Sequence, residues 1–395
     1  MTSNHTHQAQ DEPRPSGSRR LGLRPKLKGI GLVTMLLAGL GALLFASIPY
    51  PHAGQPGQPP PLGGDSEASK NRLVKLLIVL VLLAALAWVL FLAIQYLLTR
   101  QSITQLTGLP GIGGLFEGQP RYAGSLQGVE RPLGVAVSSD DKIYVSESAG
   151  ERMVRVFNRD GDEISAFAPP GTETAARVPL YVAISPEDEI YVSDRFNDAI
   201  YIWAADGSFV GTFEHQSVPA EDWHPMGLAF DEEGNLYVTD VTPDKHRVMV
   251  FDSSGALKLE FGKEGNGPGD FWYPNGIAVD GDGRIYVADG NNGRLQVFDA
   301  QGDLVYLVAR GFASGDLGMP RGVALDGDGH LFVADTSAHT VKMYDISGDR
   351  PEYLRDIGES GTGSGQLRYP NGLAVADGKI YITDRENGRV SIWSD

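Results

Sequence analysis

Residues 273–308 read YPNGIAVDGDGRIYVADGNNGRLQVFDAQGDLVYLV. Four short runs of β-branched and aromatic residues, a composition that favours strands over helices, alternate with turns rich in Gly, Asp and Asn. Asp-Gly and Asn-Gly pairs supply the positive φ angles that tight hairpins require. The segment therefore predicts a four-stranded antiparallel sheet.

The same pattern occurs six times along the chain. Each copy begins at a Pro-containing anchor and continues with an aliphatic triplet, an acidic or Gly-rich turn and a strand that ends in an acid. The anchors start at Pro132, Pro179, Pro225, Pro274, Pro320 and Pro370. Their spacings of 47, 46, 49, 46 and 50 residues, with four strands per copy, are typical of propeller blades, which bury their faces by stacking on one another.

These repeats resemble the NHL repeat family of six-bladed β-propellers, over residues 119–395. The resemblance rests on P-x-G-[IVL]-A-[VF], followed by [IL]-[YF]-[VI]-x-D and then by a [VIL]-x-[VIM]-[FWY] strand. It implies an all-β, six-bladed propeller. It does not imply one function, because propellers of this kind include binding modules and a few enzymes.

The sixth copy stops after its third strand, at residues 390–393. Upstream of the first anchor, residues 120–126 read PRYAGSL and resemble the outer strand of the fifth copy, residues 351–357, PEYLRDI. We therefore expect the N-terminal segment to complete the last blade, which closes the ring and leaves no long unpaired edge.

The chain before the repeats differs in composition. Residues 1–28 are polar and basic and are predicted to be disordered, residues 49–72 form a Pro- and Gly-rich linker, and residues 99–118 form a short neck. Residues 29–48 are uncharged and mostly apolar, so they either cross a membrane or lie at its interface. Residues 76–98 carry no charge and predict a transmembrane helix.

The side of the membrane depends on the number of spans. Lys70, Arg72 and Lys75 precede the second span and Arg100 follows it, which places its N-terminus in the cytoplasm and the propeller outside. If residues 29–48 also span the membrane, the two helices form a hairpin and the propeller stays in the cytoplasm. The resemblance to membrane-tethered bacterial propellers favours the outside and thus the bacterial cell envelope.

Charge is unevenly distributed. Residues 1–100 hold 10 basic and 4 acidic residues, whereas the rest of the chain holds 23 basic and 46 acidic residues. A strongly acidic propeller repels phosphates, which argues against a nucleic-acid partner. The sequence contains no Cys, so it forms neither disulfides nor thiolate metal sites.

Strand direction predicts that the anchors and the loops between second and third strands share one face, with the acidic turns on the other. A mouth that combines a few polar groups with aromatic residues is the default binding site. The predicted ligand-binding residues at this mouth are Asn275, Arg321, Asn371, Tyr273, Tyr369, Arg195 and Arg385. Arg321, between the two asparagines, is expected either to bind a carboxylate through paired hydrogen bonds or to stabilise the channel.

Each copy ends its second strand with an acid. These acids are Glu147, Asp194, Asp240, Asp289, Asp335 and Asp384. Six-fold repetition favours a structural role, in which each carboxylate accepts backbone N–H groups of the following turn, over an acidic ring that binds cations. The DGDG segments at 280–283 and 326–329 are interpreted as hairpin turns, because an EF-hand needs ligands spread over twelve residues.

His224, His246 and His339 are expected on the same face as the anchors. Propeller lyases similar to this fold, such as streptogramin lyase, gather His from several blades, which implies an alternative: a metal-dependent lyase or hydrolase. Only His224 lies at an anchor, so the pattern departs from those enzymes. The sequence favours a membrane-anchored binding or scaffolding module for a protein, peptide or glycan, with no cofactor and no assigned catalytic residue.

Overall fold

The computed structural model of the chain describes residues 83, 87, 91, 120–215, 218–219, 222–311 and 313–394. Residues 83, 87 and 91 are helical, and no helix among the described residues has the length and apolarity to cross a bilayer. The predicted disordered segment 1–28, possible span 29–48, linker 49–72, neck 99–118 and most of the span 76–98 lie outside the described residues.

Residues 120–394 contain six four-stranded antiparallel sheets, numbered here as blades one to six in chain order, which confirms the predicted all-β propeller. The innermost strands are β2 (Pro132–Val137), β6 (Pro179–Ile184), β10 (Pro225–Phe230), β14 (Pro274–Val279), β18 (Pro320–Leu325) and β24 (Pro370–Ala376). The second strands are β3 (Ile143–Glu147), β7 (Ile190–Asp194), β11 (Leu236–Asp240), β15 (Ile285–Asp289), β19 (His330–Asp335) and β25 (Lys379–Asp384).

The outer half of each blade completes this arrangement. The third strands are β4 (Val154–Phe157), β8 (Ala199–Trp203), β12 (Arg247–Phe251), β16 (Arg294–Phe298), β20 (Thr340–Asp345) and β26 (Arg389–Ser394). The outermost strands are β5 (Glu163–Phe167), β9 (Phe209–Thr212), β13 (Leu257–Phe261), β17 (Leu304–Val308), β21 (Glu352–Ile357) and, in blade six, β1 (Arg121–Leu126). A short parallel pair, β22 (Glu359–Ser360) and β23 (Gln366–Leu367), lies in the loop before blade six.

The N-terminal strand closes the ring as predicted. β1 pairs antiparallel with β26, with Arg121 opposite Ser394 and Leu126 opposite Val390. Leu126 is 3% exposed and packs in the apolar cluster between blades six and one. Each innermost strand contacts the innermost strands of both neighbouring blades, including β24 with β2. The ring is therefore continuous.

The hydrophobic core lies between blades. Six clusters of buried residues each join one pair of neighbouring blades. Between blades four and five, for example, Tyr286 and Leu295 pack with Leu331 and Tyr344, and all four side chains are at most 1% exposed. Because each central strand is covered on both faces, these strands read as nearly continuous apolar runs in the sequence.

The anchor glycine allows the innermost strands to approach closely. A Cβ at Gly276 would lie 2.5 Å from the Arg321 carbonyl oxygen, and one at Gly134 would lie 2.6 Å from the Leu180 carbonyl oxygen. Such distances leave no room for a side chain directed at the neighbouring blade. At Gly134 and Gly276, packing against the next blade therefore excludes any residue larger than glycine.

A buried hydroxyl joins neighbouring innermost strands in four blades. Thr239 Oγ1 accepts the Gly227 N–H at 2.8 Å and donates to the Asn275 carbonyl at 2.6 Å, which links blade three to blade four. The equivalent residues are Ser146, Ser193 and Thr383. In blades four and five the position is Ala288 and Ala334, so these two blades lack the hydroxyl.

The DGDG segments form hairpin turns, as interpreted from the sequence. Asp280 Oδ1 accepts the backbone N–H groups of Asp282 at 3.0 Å and Arg284 at 2.9 Å, while Gly283 has a φ of 79°. Asp326 makes the same pair of bonds within its own turn. In both turns, the carboxylate accepts hydrogen bonds from the backbone of its own turn.

Candidate binding face

The anchors and the loops between second and third strands lie on one face, as strand direction predicted. In five blades the residue after the second strand bonds back to the residue just before the anchor, as Arg195 N does to Val178 O at 2.9 Å and Thr336 N to Met319 O at 3.0 Å; in blade six, Glu386 N bonds to Arg368 O at 3.1 Å. We call this side the loop face. The opposite side, which carries the acidic turns, is the turn face.

Four exposed aromatic residues lie on the loop face, in loops of blades two, four and six. Phe196, Trp272, Tyr273 and Tyr369 are 57%, 48%, 42% and 40% exposed. The other exposed large apolar residues described between 120 and 394 lie on outermost strands: Ile164, Phe209, Val210 and Val305. The sequence predicted the two tyrosines as site residues but missed Phe196. The sequence feature that could have indicated Phe196 is an aromatic residue within the polar loop Arg-Phe-Asn-Asp at residues 195–198.

Two histidines support the two exposed tyrosines in the same way. The Tyr369 N–H donates to His339 Nδ1 at 3.0 Å, and the two rings are 4.4 Å apart, edge to face. The Tyr273 N–H donates to His246 Nδ1 at 3.4 Å, with ring centroids 4.8 Å apart. An accepting Nδ1 places the proton of a neutral imidazole on Nε2. Each histidine thus fixes both the backbone and the ring of a tyrosine.

The backbone at both tyrosines is also unusual. Tyr273 and Tyr369 have φ angles of 54° and 53°, in the left-handed region that bulky residues rarely occupy. Such conformations cost roughly 1–3 kcal/mol each and persist only where the surroundings enforce them. Arg131, which directly precedes the first anchor, has a φ of 49° as well, so the conformation belongs to this position of the anchor loop.

Arg195 and Arg385, both predicted ligand-binding residues, lie on the loop face and pair with acids of this chain. Arg195 Nη1 is 2.9 Å from Asp198 Oδ1. Arg385 Nη2 is 2.9 Å from Glu386 Oε1, and its guanidinium lies 5.7 Å from the Tyr369 ring centroid. These exposed pairs are weak, so both arginines remain accessible to an anionic partner.

Asn275, Arg321 and Asn371 meet at the mouth of the central channel, where the sequence placed them. Arg321 Nη1 donates to Asn275 Oδ1 at 2.6 Å, and Asn275 Nδ2 donates to the Tyr273 carbonyl at 2.6 Å. Asn275 is 1% exposed, Asn371 is 6% exposed and Arg321 is half-buried. The structure thus connects the channel arginine to the backbone of an exposed tyrosine.

Tyr181, which is not among the site residues predicted from the sequence, crosses the channel. Its hydroxyl lies 3.3 Å from Asn371 Oδ1 and 3.5 Å from the Arg321 carbonyl, although these residues belong to blades six and five and Tyr181 to blade two. Burial raises the pKa of Tyr181 to about 12, against the opposing effect of the Arg321 charge, so the phenol is neutral at pH 7. The available signal was Tyr at the third anchor position, where the other five copies have Gly.

The six repeated acids are structural, as predicted, but most of their backbone donors come from a different segment. Glu147 accepts the Glu130 N–H at 2.8 Å and Asp384 accepts the Arg368 N–H at 2.6 Å, in both cases from the loop that precedes the blade. Asp194 also accepts N–H groups from the turn that follows it. All six acids are at most 1% exposed.

An arginine completes this arrangement in four blades. The arginines within 3 Å of the acid are Arg155, Arg247, Arg294 and Arg389. Arg389 Nη2 also donates to the carbonyls of Gly363 and Gln366, at 2.8 and 2.6 Å. The pair therefore ties the preceding loop to the blade. The Gly-Arg at the start of the third strand in two copies was the sequence signal for it.

The three histidines of the metal hypothesis each have separate partners. His246 is 2% exposed and, like His339, supports a tyrosine, whereas His224 Nε2 is 3.4 Å from Asp198 Oδ2. Among the described residues, no group of three His, Cys, Asp or Glu side chains is placed to hold a metal ion. The described arrangement therefore offers no three-ligand centre for a zinc-dependent reaction.

The family model of the NHL repeat matches residues 271–298, 317–344 and 367–393, in blades four, five and six. The comparison with curated proteins found no match. Similar solved structures include a streptogramin B lyase, 15% identical, which covers 70% of this chain and 98% of its own with a TM-score of 0.51.

Two further structures have a TM-score of 0.50. One is selenomethionine-substituted virginiamycin B lyase from Staphylococcus aureus, 16% identical over 70% of this chain and 99% of that one. The other is a nidogen/laminin complex, 17% identical over 62% of this chain and 85% of that one. Identities this low show the fold alone. The chain thus carries matches to the NHL repeat in three blades, has the same strand order in the other three, and is a six-bladed β-propeller.

Proposed function

We propose that this NHL propeller is a binding or scaffolding module that holds a protein partner against its loop face. The observation that carries the proposal is the exposure of Phe196, Trp272, Tyr273 and Tyr369 on that face, each at least 40% exposed. Aromatic side chains dominate protein-binding hot spots, because they bury a large apolar area with few rotatable bonds.

The histidines that contact the two tyrosines favour binding for a second reason. His246 and His339 hold the two rings through backbone hydrogen bonds and ring contacts before any partner arrives. Side chains that are already ordered lose less conformational entropy on association. The nidogen/laminin structure, in which two proteins form a complex, shares the fold of this chain.

Aromatic rings also stack on sugars, so a glycan is the competing ligand class for the same face. The metal-dependent lyase or hydrolase lacks comparable support, since no three-ligand group occurs among the described residues. We therefore retain the glycan as an outcome of the binding experiment and commit to the protein partner.

A membrane tether is part of the proposal. The uncharged residues 76–98 support it, and the basic residues before them support a propeller outside the cytoplasm. Protease treatment of intact cells tests the compartment. Digestion of the propeller without lysis is expected, and complete protection would place the propeller in the cytoplasm.

The binding experiment compares three forms of the full chain in photo-crosslinking experiments in its own cells. These are the wild type, the double variant Tyr273→Asn with Tyr369→Asn, and the control Val305→Asn. Asn readily adopts the left-handed conformation, so the variant removes both rings without adding strain. Val305 is 52% exposed on the outermost strand of blade four, away from the loop face.

A protein partner should crosslink to the wild type and to the control, and about tenfold less to the double variant, which is the loss expected for removing hot-spot rings. Equal crosslinking in all three forms would refute the role of the loop face. Loss of bound polysaccharide in the double variant, with no protein crosslinked to any form, would replace the protein partner by a glycan.

A further inference from the structure

Arg321 is a half-buried cation without an acidic partner among residues 120–394 as far as the structure describes them. Its Nη1 donates to Asn275 Oδ1 at 2.6 Å, and its Nη2 reaches the Met319 sulfur at 3.6 Å. A thioether is a weak acceptor. The loop-face arginines Arg131, Arg195 and Arg385, in contrast, all have carboxylates within 3 Å.

The neighbouring amide holds the guanidinium in one orientation. Asn275 is 1% exposed and uses its Nδ2 on the Tyr273 carbonyl, so its Oδ1 is fixed toward Arg321. A guanidinium has five N–H donors, and this contact uses one of them. The remaining donors have no strong acceptor among the described residues and are not among the enclosed polar atoms that lack a partner, so the cation is held in position with donors open to solvent.

Asn371 of blade six lies near the backbone of Arg321 at the channel mouth. Its Oδ1 accepts from the Tyr181 hydroxyl, which also lies 3.5 Å from the Arg321 carbonyl. The Asn371 Nδ2 has no acceptor among the described residues and is not enclosed, since it does not occur among the buried polar atoms that lack a partner. Both the Arg321 backbone and the Asn371 side chain therefore adjoin one hydroxyl, at the channel mouth.

We propose that Arg321 forms a carboxylate-binding subsite at the channel mouth, which receives an acidic group of the protein partner. This inference rests on the proposed function and adds the chemistry of the contact. A guanidinium binds a carboxylate through two parallel N–H···O bonds, and opposite charges attract each other more strongly near a protein surface than in bulk water. A single carboxylate matches one arginine, whereas the strongly acidic propeller repels polyanions.

The test uses the full-length chain and three peptides that differ in one group. They are the neutral acetyl-Tyr-Gln-Ala-amide, acetyl-Tyr-Glu-Ala-amide with a side-chain carboxylate, and acetyl-Tyr-Gln-Ala with a free C-terminal carboxylate. Saturation-transfer NMR at low salt gives the affinity of each. At least one acidic peptide should bind about tenfold more tightly than the neutral one, and the acidic peptide that does so identifies the source of the carboxylate.

Two arginine variants assign the site. Arg321→Met should abolish the preference for the acidic peptide, whereas Arg310→Met, which removes an exposed charge from the same face, should retain it. Arg321→Lys keeps the charge but loses the planar donor pair, so an intermediate preference is expected. Thermal unfolding of each variant checks that the ring is intact.

Equal affinity for the three peptides would overturn the subsite, as would a preference that survives Arg321→Met in a folded protein, or no binding of any peptide at millimolar concentration. If Arg321→Met does not fold, the wild-type comparison of acidic and neutral peptides decides alone. The proposed function fails separately. It is refuted when the double tyrosine variant still crosslinks the partner, or when only polysaccharide is bound, whatever Arg321→Met does.

Discussion

At the scale of single residues, the acid at the end of each second strand links two parts of the chain. Asp289 is fully buried and accepts the Trp272 N–H at 2.7 Å and Arg294 Nε at 2.7 Å. Arg294 also donates to the carbonyls of Asn266 and Gly267 in the preceding loop. This ion pair therefore helps to hold the loop that presents Trp272 and Tyr273.

We predict that Asp289→Asn lowers the free energy of unfolding by about 3 kcal/mol, because the buried Arg294 loses its counter-charge. Asp303→Asn removes an exposed carboxylate from the same blade and should change stability by less than about 0.5 kcal/mol. Urea unfolding measures both. Similar stability of the two variants would show that the pair contributes little.

A second residue-scale prediction concerns Tyr181. Its pKa in the folded protein, about 12, is raised by burial, whereas a tyrosine in an unfolded chain has a pKa of about 10. The unfolded chain therefore loses this proton first as the pH rises. The stability contributed by the neutral phenol is complete below about pH 10 and is lost between about pH 10 and 12.

Tyr181→Phe removes this titration. Near pH 11 the free energy of unfolding should fall less steeply with pH than in the wild type, by about 1 kcal/mol per pH unit. Urea unfolding at several pH values from 9 to 11.5 gives the slopes. Identical slopes would mean that water reaches the phenol in the folded state.

At the scale of elements, the innermost strands show why Tyr181 occupies the channel. In four blades a buried Ser or Thr donates to a carbonyl of the next innermost strand, as Thr239 does to Asn275. Ala288 has no hydroxyl to offer to the Arg321 carbonyl at the corresponding place. Tyr181 approaches that carbonyl from across the channel instead. The blade that lacks this hydroxyl, at Ala288, thus lies beside Arg321, where the carboxylate-binding subsite is proposed.

The closing strand β1 gives the element-scale prediction. Leu126→Ala should lower the free energy of unfolding by about 2–4 kcal/mol, because Leu126 is 3% exposed in the cluster that joins blades six and one. Ala123→Ser, at an exposed position of the same strand, is the matched control and should have little effect. Denaturant unfolding distinguishes them, and equal midpoints would contradict a role of β1 in closure.

At the scale of the whole molecule, the two faces of the ring differ in chemistry. The turn face carries acidic hairpins such as those at Asp280 and Asp326, whereas the loop face carries the exposed aromatic rings, the paired arginines and Arg321. Residues 101–395 hold twice as many acidic as basic residues. A partner approaching the loop face therefore avoids the acidic hairpins of the turn face.

This distribution predicts that the full chain does not bind nucleic acid. No retention of a 20-nucleotide DNA or RNA is expected in a filter-binding assay at about 0.15 M salt, because binding to the phosphate backbone depends on basic residues. The Arg321→Met variant should behave like the wild type. Binding that weakens steeply with increasing salt would contradict the prediction and would point to a local basic surface.

The site was predictable from the sequence only in part. The anchor spacing placed Asn275, Arg321 and Asn371 around one mouth, and the structure brings them there. The histidines were assigned to the correct face, but the sequence could not show that His246 and His339 would each accept a tyrosine N–H. Such pairings depend on how one blade docks on the next.

The sequence by itself determined the number of blades, their four strands, the closure by residues 120–126 and the structural role of the repeated acids. These features follow from local patterns of apolar, turn and acidic residues, which act within one repeat or between neighbouring repeats. Only the tertiary structure decided that Tyr181 reaches Asn371, 190 residues away, and that Arg131 pairs with Glu386, 255 residues away. Both contacts require a closed ring, because only closure brings distant blades together, and no local pattern encodes which side chains then meet.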